Sequence, residues 1–315
     1  MALFGGSRCL VAGVVVCGTV VFSGFCGTAC DGGPFVTLET AKASARIALD
    51  GARVVSFKVG GDEVVWTTRV PADPAAKWSH GGIPVCWPWF GTSGGHDENS
   101  IHGFAKSSRF ELVSLSQCPE RSHAILRLRS DAHTRKIWPH DFEVEYEATL
   151  SDTLRLSLRT VNTGSGTFSY TAGFHPYFRL GDRTKARVTG TDGLVFCDAR
   201  VTNVLDGVWR GDLRLDASYD NVFDEKGAST SHTVVDPSLG RTIYATASGV
   251  TRLVVWAPDG DEFAVENPGP GMLGPGDWRH FACVEPAFLW DGREIVLGPG
   301  ERHQFVYEIS VSAQK

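Results

Sequence analysis

The chain has 315 residues, of which 42% are hydrophobic and 21% are charged, and its formal net charge is -6. This composition is ordinary for a soluble globular protein with a large core and does not indicate disorder. A pI of about 5.9 argues against the basic face that nucleic-acid binding usually needs, so we expect no nucleic-acid partner.

The first thirty residues differ from the rest of the chain. Arg8 is the only charged side chain before Asp31. A basic start, an apolar run and small residues at 27–29 resemble a signal peptide. The run is also about long enough to span a bilayer, which takes roughly 20 residues.

This contrast predicts a division of the chain into two parts. Residues 1–30 are placed outside the fold, as a signal or anchor segment or as an upstream extension, and residues 31–315 are assigned to a single domain. Membrane contact is expected only through residues 9–30, if they are retained. If residues 1–30 act as a signal or an anchor, the protein is expected to be secretory or membrane-anchored.

The body of the chain shows the period of two that is typical of half-buried β-strands. Phe142–Leu150 and Leu154–Arg159 alternate strictly on either side of a Ser151-Asp152 turn, which predicts a β-hairpin. No window longer than ten residues has a helical period, so we predict an all-β sandwich or barrel. The other predicted strands, in chain order, are Arg53–Val59, Glu63–Thr67, Arg109–Leu115, Ala124–Arg129, Arg241–Ala247, Arg252–Ala257 and Phe305–Val311.

Two ionisable residues stand directly before prolines in apolar surroundings: His175 in TAGFHPYF and Glu285 in FACVEPAF. A residue before proline is pushed towards extended backbone, so His175 is expected on a strand or strand end. Histidine titrates near neutrality and burial raises the pKa of a carboxyl, so the pair is suited to acid–base chemistry across one cleft. The alternatives are a buried structural histidine and a carboxylate paired with Arg279 or Arg293.

Asp220 lies in the stretch YDNVF and has two interpretations. An Asp-Asn pair at a strand start is commonly a turn or a cap. The same carboxylate is also what a pocket needs to hold sugar hydroxyls, because it can accept two of them.

The loop of residues 79–91 and the following residues 101–108 form a further candidate. Gly81 and Gly82 let the backbone approach a ligand closely. The indoles of Trp87 and Trp89 are candidates for stacking on a sugar ring. The side chains that can meet an anionic group are His80, His102 and Lys106. The alternative is an aromatic surface loop with incidental charges.

No motif indicates a cofactor. A nucleophile elbow, a P-loop and a dinucleotide-binding glycine pattern are all missing from the sequence. The cysteines Cys86, Cys118, Cys197 and Cys283 lack the paired spacing of a zinc site and are expected to be reduced, buried thiols. We therefore expect neither a metal nor an organic cofactor.

Five motifs, in order, resemble those of the glucose-6-phosphate 1-epimerases, the hexose-6-phosphate branch of the aldose 1-epimerase (galactose mutarotase-like) superfamily. The resemblance extends from roughly residue 35 to residue 312 and implies a large antiparallel β-supersandwich. It also implies a cytosolic enzyme without a cofactor that acts on a small sugar or sugar phosphate, and we expect a monomer. The motifs are GGIPVCWPWFG, IHGFAKSS, TAGFHPYF, YDNVF and CVEPA.

The resemblance also implies roles for three residues. His175 would be the general acid that protonates the ring oxygen, and Glu285 would be the base that takes the proton of the C1 hydroxyl. Asp220 would bind sugar hydroxyls. Ring opening, rotation about C1–C2 and closure on the other face would give the opposite anomer, with no cofactor needed.

Two positions depart from the family pattern. His80 and Lys106 stand where arginines are usual, and both positions are expected to help hold the phosphate. Lysine keeps the charge but loses the bidentate fork, and histidine is cationic only part of the time near neutral pH. The candidates for a compensating charge are Arg69, Lys77 and Arg109.

Three alternatives to a hexose-6-phosphate 1-epimerase are kept. The first is a mutarotase for unphosphorylated aldoses. The second is a glycoside hydrolase that uses Glu285 and Asp220 as its two carboxylates. The third is a non-catalytic carbohydrate-binding domain on a β-sandwich.

Overall fold

The structure, a computed structural model, describes residues 11–12, 34–69, 79–92, 101–225, 229–258, 260–267, 269, 271–289 and 292–313. The strands in the first half are β1 (Val11–Ala12), β2 (Phe35–Glu39), β3 (Ala43–Ala48), β4 (Val54–Val59), β5 (Asp62–Glu63), β6 (Val85–Cys86), β7 (Glu111–Gln117), β8 (Ser122–Arg129), β9 (Phe142–Leu150) and β10 (Leu154–Asn162). Those that follow are β11 (Phe168–Tyr170), β12 (Ala172–Phe174), β13 (Tyr177–Arg179), β14 (Arg187–Thr189), β15 (Val195–Asp198), β16 (Gly207–Val208), β17 (Leu213–Arg214), β18 (Tyr219–Asp224), β19 (Ser229–Asp236), β20 (Arg241–Ser248), β21 (Arg252–Ala257), β22 (Phe281–Phe288), β23 (Ile295–Leu297) and β24 (Arg302–Ala313). Helical segments in the described residues are the short helices α1 (Thr134–Ile137) and α2 (Glu262–Glu266) and the 3-10 turns Ala105–Ser107, Arg183–Lys185 and Asp277–His280.

Two large antiparallel sheets dominate the fold. The first has ten strands in the order β1-β7-β8-β9-β10-β24-β20-β19-β14-β17, and the second has the order β16-β15-β18-β21-β22-β12-β6, with β13 also paired to β22. A four-stranded sheet, β2-β3-β4-β5, and the pair β11-β23 complete the described strands. The all-β prediction is confirmed.

The predicted hairpin is strands β9 and β10. Leu150 pairs with Leu154 across the turn, and the alternation places Val144 and Tyr146 in the core. On the other face, Nη2 of Arg159 lies 2.7 Å from a carboxylate oxygen of Glu145. Alternating apolar and charged residues thus give this strand pair one buried face and one salt-bridged face.

Strand β22 separates the main core from the site described below. Its eight residues are all buried, so the strand is covered on both faces. Val284 and Phe288 belong to the main core cluster, and the hydroxyl of Tyr307 in β24 donates to the carbonyl of Val284 over 3.3 Å. Because side chains alternate along a strand, Cys283 and Glu285 face away from that core.

One predicted strand is wrong. Of Glu63–Thr67 only the first residue belongs to a regular strand, β5, while Val65 and Thr67 make isolated bridges to Phe178 and Gly81. Val64, Val65 and Trp66 are buried, but their backbones make single hydrogen bonds and isolated bridges to other segments and form no regular ladder.

The predicted N-terminal segment, residues 1–30, lies outside the described residues except for Val11–Ala12. These two residues form β1 and pair with Leu115 and Ser116 at the edge of the ten-stranded sheet. None of the helices in the described ranges has the length and apolar character needed to cross a bilayer.

Candidate active site

The sheet register places His175 opposite Glu285. Gly173 in β12 pairs with Ala287, and Tyr177 in β13 pairs with Cys283, so the residue between them stands level with Glu285. The imidazole Nε2 lies 3.5 Å from Oε2 of the carboxyl. The pair predicted from two separate motifs is therefore brought together on one face of one sheet.

Prolines explain why the ladder is interrupted at this level. Pro176 and Pro286 have no N–H and cannot donate to a neighbouring strand. The N–H of His175 donates instead to the carbonyl of Pro84 over 3.0 Å, on the other side. The backbone of His175 is thus held by the loop that carries the GGIP motif, and its ring is left to project beside Glu285.

Aromatic rings surround the imidazole of His175. The ring of Tyr177 is nearly parallel to it, with centroids 4.8 Å apart and an interplanar angle of 9°. The ring of Phe90 is also near-parallel to it, with centroids 6.4 Å apart and an interplanar angle of 19°. His102 and Trp256 approach edge-on at 5.2 and 6.2 Å. This packing fixes the orientation of the imidazole before any ligand binds.

Burial shifts the pKa of both groups towards their neutral forms. Glu285 is 1% exposed, and burial together with the nearby charge of Asp220 raises its pKa well above the ordinary value. His175 is 8% exposed, and burial followed by the charges of His102 and His80 lowers its pKa well below the ordinary value. A neutral pair shares one titrating proton, and this proton rests on Glu285.

Asp220 lies on the same face of the sheet, two strands from Glu285. It pairs with Trp256 in β21, which in turn pairs with Cys283 in β22. Burial and the charge of Asp198 raise the pKa of the Asp220 carboxyl, which retains partial exposure. A carboxylate in this position can accept hydroxyl groups of a ligand bound beside Glu285.

His80 contacts the site through Tyr177. Its Nδ1 lies 2.8 Å from the tyrosine hydroxyl, and its ring stacks with Trp256 at 6.1 Å. Burial, with the charges of Lys106 and Arg53, lowers the pKa of His80 to about 4. Near neutral pH this imidazole is therefore uncharged, which differs from the arginine usual at this position.

His102 and Lys106 approach from the following loop. The backbone N–H of Gly91 donates to Nδ1 of His102 over 3.0 Å, so the proton of the neutral ring is on Nε2. Burial, then Lys106 and His80, lower the pKa of His102 to about 3. The charge of Lys106 also lowers the pKa of His175, so this cation lies within electrostatic reach of the site.

The two indoles predicted to stack on a sugar are placed elsewhere. Trp87 and Trp89 are both 0% exposed and belong to the main core, where Trp87 donates to the Thr160 hydroxyl over 3.0 Å. This burial leaves neither indole a face for a ligand. Trp256, which is only partly buried and lies next to Asp220, is the better candidate.

Sequence reasoning missed Arg53 as a site residue. Its half-buried guanidinium donates to the carbonyl and, over 2.8 Å, to the hydroxyl of Ser79, and its charge helps lower the pKa of His80. The structure does not place the compensating cations suggested by the sequence at the site. Arg109 pairs with Asp50 at the surface, Arg69 is exposed, and Lys77 lies outside the described residues. No local signal distinguished Arg53 from an ordinary strand residue.

Comparison with known proteins identifies the family. The aldose 1-epimerase family matches residues 34–310. The chain belongs to this family. A Salmonella typhimurium protein provisionally named glucose-6-phosphate 1-epimerase is 29% identical over 263 residues, covering 80% of this chain and 82% of that protein. A Cenchrus ciliaris protein with the same provisional name is 30% identical over 274 residues, covering 82% and 78%.

Solved structures of this family share the fold. A provisional mutarotase from Salmonella typhimurium matches with a TM-score of 0.79 and 25% identity, over 89% of this chain and 90% of that one. Galactose 1-epimerase from Lactobacillus acidophilus matches with a TM-score of 0.67 and 16% identity, over 89% and 95%. The predicted mutarotase-like sandwich and the predicted enzyme class, an isomerase, are confirmed.

Proposed function

We propose that this protein interconverts the α and β anomers of hexose 6-phosphates, with glucose 6-phosphate as the representative substrate. The observation that carries the proposal is the 3.5 Å separation between Nε2 of His175 and Oε2 of Glu285 on one buried face. The names of the relatives supply the substrate class, and the cations near the site agree with it.

Anomer exchange needs a proton donor and a proton acceptor at neighbouring oxygens. The ring oxygen and the C1 hydroxyl are bonded to the same carbon, so the two catalytic groups must lie within a few ångström of each other. His175 protonates the ring oxygen while Glu285 takes the C1 hydroxyl proton. The C1–O5 bond breaks to give the open aldehyde, C1 rotates, and closure on its other face returns both protons.

The neutral resting pair is consistent with this exchange. Opening transfers one proton to the sugar and one from it, so the number of protons on the enzyme is unchanged after each turnover. Because burial disfavours charge on both His175 and Glu285, the single proton rests on Glu285. It must pass to His175, across the 3.5 Å between Oε2 and Nε2, before His175 can act as the acid and Glu285 as the base. Each group contributes on the order of 10²–10⁴ in rate in such reactions.

The surrounding side chains are suited to hold a pyranose. Asp220 accepts sugar hydroxyls, the partly exposed indole of Trp256 packs on the ring, and Nε2–H of His102 donates to a sugar oxygen. All three approach the His175–Glu285 pair from different elements. A sugar held from three directions keeps its anomeric carbon fixed between acid and base.

Lys106 and Arg53 are the cations proposed to hold the phosphate. Both act electrostatically on His80, the position where an arginine is usual. His80 itself is neutral near pH 7 and would serve as a hydrogen-bonding partner of the phosphate. A charge-assisted bond is roughly twice as strong as a neutral one, so two cations can replace the missing arginine fork.

A mutarotase for free aldoses is the second candidate, and the neutral state of His80 favours it. With a neutral histidine in place of one family arginine, the preference for a phosphate is weaker. The two candidates share the anomeric chemistry and differ only in what lies at C6.

Magnetisation-exchange NMR on the α and β signals of glucose 6-phosphate tests the proposal, with free glucose and galactose as matched substrates. We expect exchange well above the uncatalysed rate, fastest for the phosphate, with no new product signals. A faster rate on a free hexose would replace the first candidate by the second. Exchange equal to the enzyme-free control on all three sugars would refute both.

A further inference from the structure

Cys283 is a buried group that the proposed reaction does not use. It lies two residues before Glu285 on β22 and faces the same side, beside His175. A ring nitrogen of His175, Sγ of Cys283 and a carboxylate oxygen of Glu285 all lie within 4.8 Å of one another. All three residues are buried, with Cys283 0% exposed.

The donor set is one that zinc prefers. Imidazole nitrogen, thiolate sulfur and carboxylate oxygen are its common protein ligands, and three of them with one open position make the usual arrangement of an accessible zinc site. A thiolate selects against magnesium and calcium, which prefer oxygen ligands alone. The chemistry therefore points to a thiophilic divalent ion.

A second observation also points to a ligand. Within the part of the chain that the structure describes, Oε2 of Glu285 and Nδ1 of His175 are buried atoms without a hydrogen-bond partner. An unpartnered buried acceptor is costly and is usually satisfied by water, a ligand or an ion. A metal ion at the centre of the three ligands would satisfy the carboxylate.

We propose that Zn²⁺, or a divalent ion of similar thiophilicity, binds to His175, Cys283 and Glu285 and blocks the cleft. The thiol proton, and any proton on Glu285, is released to solvent on binding. In a tetrahedral zinc site with bonds of about 2.0–2.3 Å, ligand atoms lie roughly 3.2–3.8 Å apart. The Nε2–Oε2 separation of 3.5 Å already fits, and the 4.8 Å limit leaves at most about 1 Å of side-chain movement.

The fourth position would face the cleft. The side chain of His175 retains 10% exposure, which marks the open side of the cluster. A water molecule would occupy this position. Because the ion takes both the proton donor and the proton acceptor, its binding and anomer exchange exclude each other.

Cobalt absorption tests the site directly and does not depend on the proposed activity. Co²⁺ added to the full chain is expected to give the near-ultraviolet thiolate-to-cobalt band and the visible bands of a tetrahedral site. The chain has other cysteines, so the spectrum is compared with that of Cys283→Ala. The difference between the two spectra should contain the thiolate band, and Co²⁺ binding at this site should weaken at least tenfold.

Cys86→Ala is the matched control. Cys86 is 1% exposed and lies in the same sheet, but it is not one of the three clustered ligands. This variant should keep the wild-type cobalt spectrum, whereas His175→Asn should lose it as Cys283→Ala does. Identical spectra for wild type and Cys283→Ala, or loss of the band in Cys86→Ala alone, would overturn the proposal.

The inhibition rests on the proposed function and has a separate readout. Zn²⁺ should inhibit anomer exchange competitively with the sugar, and a chelator should restore it fully. The inhibition constant of Cys283→Ala should be at least tenfold higher than that of Cys86→Ala. If the wild type and Cys86→Ala, both free of Zn²⁺, do not exchange anomers but the cobalt band depends on Cys283, the proposed function fails and the metal site stands.

Discussion

The hydroxyl group of Tyr177 lies 2.8 Å from Nδ1 of His80. Both residues are buried. His80 belongs to the loop that carries the GGIP motif and Tyr177 to the strand that follows His175, so the hydrogen bond links these two segments. The tyrosine ring also packs against the imidazole of His175. Tyr177 therefore connects the proposed phosphate side of the site with the proposed acid.

Tyr177→Phe should lower the free energy of unfolding by about 1–3 kcal/mol, because it leaves a buried imidazole nitrogen unsatisfied. The ring remains, so the packing against His175 and the maximal rate should change little. Chemical denaturation measures the first effect and steady-state kinetics the second. Tyr146→Phe is the control: its hydroxyl is buried without a hydrogen-bond partner in the described part of the chain, so its removal should be neutral or stabilising. Equal losses in the two variants would contradict the prediction.

His175→Asn and Glu285→Gln should each lower the rate of anomer exchange by roughly 10²–10⁴. The double variant should be hardly slower than the slower single variant, because a donor without an acceptor no longer works and the effects are not additive. NMR exchange rates of the three variants provide the measurement. Additive losses on a logarithmic scale would show that the two groups act independently.

The proximity of His175 and Glu285 was predictable because its signals are local. A histidine and a glutamate each stand before a proline and among apolar residues. His175 lies at a strand end, and Glu285 lies within β22 beside it. The alternation in Phe142–Leu150 was equally clear, because a period of two specifies which face is buried. These features depend only on neighbours in the chain.

The remaining parts of the site depend on contacts that the sequence does not encode locally. The indole of Trp89 was predicted to face a sugar, but a run of apolar residues does not reveal which side is covered, and the residue is 0% exposed. Trp256 and Tyr177 reach the site through cross-strand register. Arg53 reaches it by packing against Ser79, to which its guanidinium donates. Such relationships follow from the assembled sheets.

The rate should show a bell-shaped dependence on pH, because only the state with one proton on the pair is active. The lowered pKa of His175 places the acidic limb below its ordinary value of 6.5, and the raised pKa of Glu285 places the alkaline limb above its ordinary value of 4.5. The two limbs belong to the pair and not to single residues. Rates measured across pH 4–10 provide the check, and an acidic limb above pH 6.5 would contradict the prediction.

Lys106→Met should weaken binding of glucose 6-phosphate roughly tenfold or more, because a charge-assisted bond to an anion is worth about 1.5–3 kcal/mol. The KM for free glucose should be nearly unchanged, since the cation contacts only the phosphate in the proposed pose. Lys58→Met removes an exposed charge from β4 and is the control for overall charge. A parallel rise in KM for both sugars would show that Lys106 supports the fold or the pyranose site instead.

The final prediction concerns Gly51, which packs against the backbone of Lys106. Its φ is +80°, and a Cβ there would lie 2.3 Å from the carbonyl oxygen of Lys106. Gly60 has a similar φ of +60° but open space around it. Gly60→Ala should therefore cost only the left-handed backbone, about 1–2 kcal/mol, whereas Gly51→Ala adds a clash with main-chain atoms that cannot rotate away.

We expect Gly51→Ala to lose at least about 2 kcal/mol more stability than Gly60→Ala, a difference typical of a buried steric clash. Because the clash displaces the loop that carries Lys106, the variant should also lose preference for the phosphorylated sugar, while Gly60→Ala keeps it. Denaturant midpoints and the ratio of kcat/KM on glucose 6-phosphate to that on glucose measure the two effects. Equal stability of the two variants would mean that the Gly51 turn and the Lys106 loop do not pack as described.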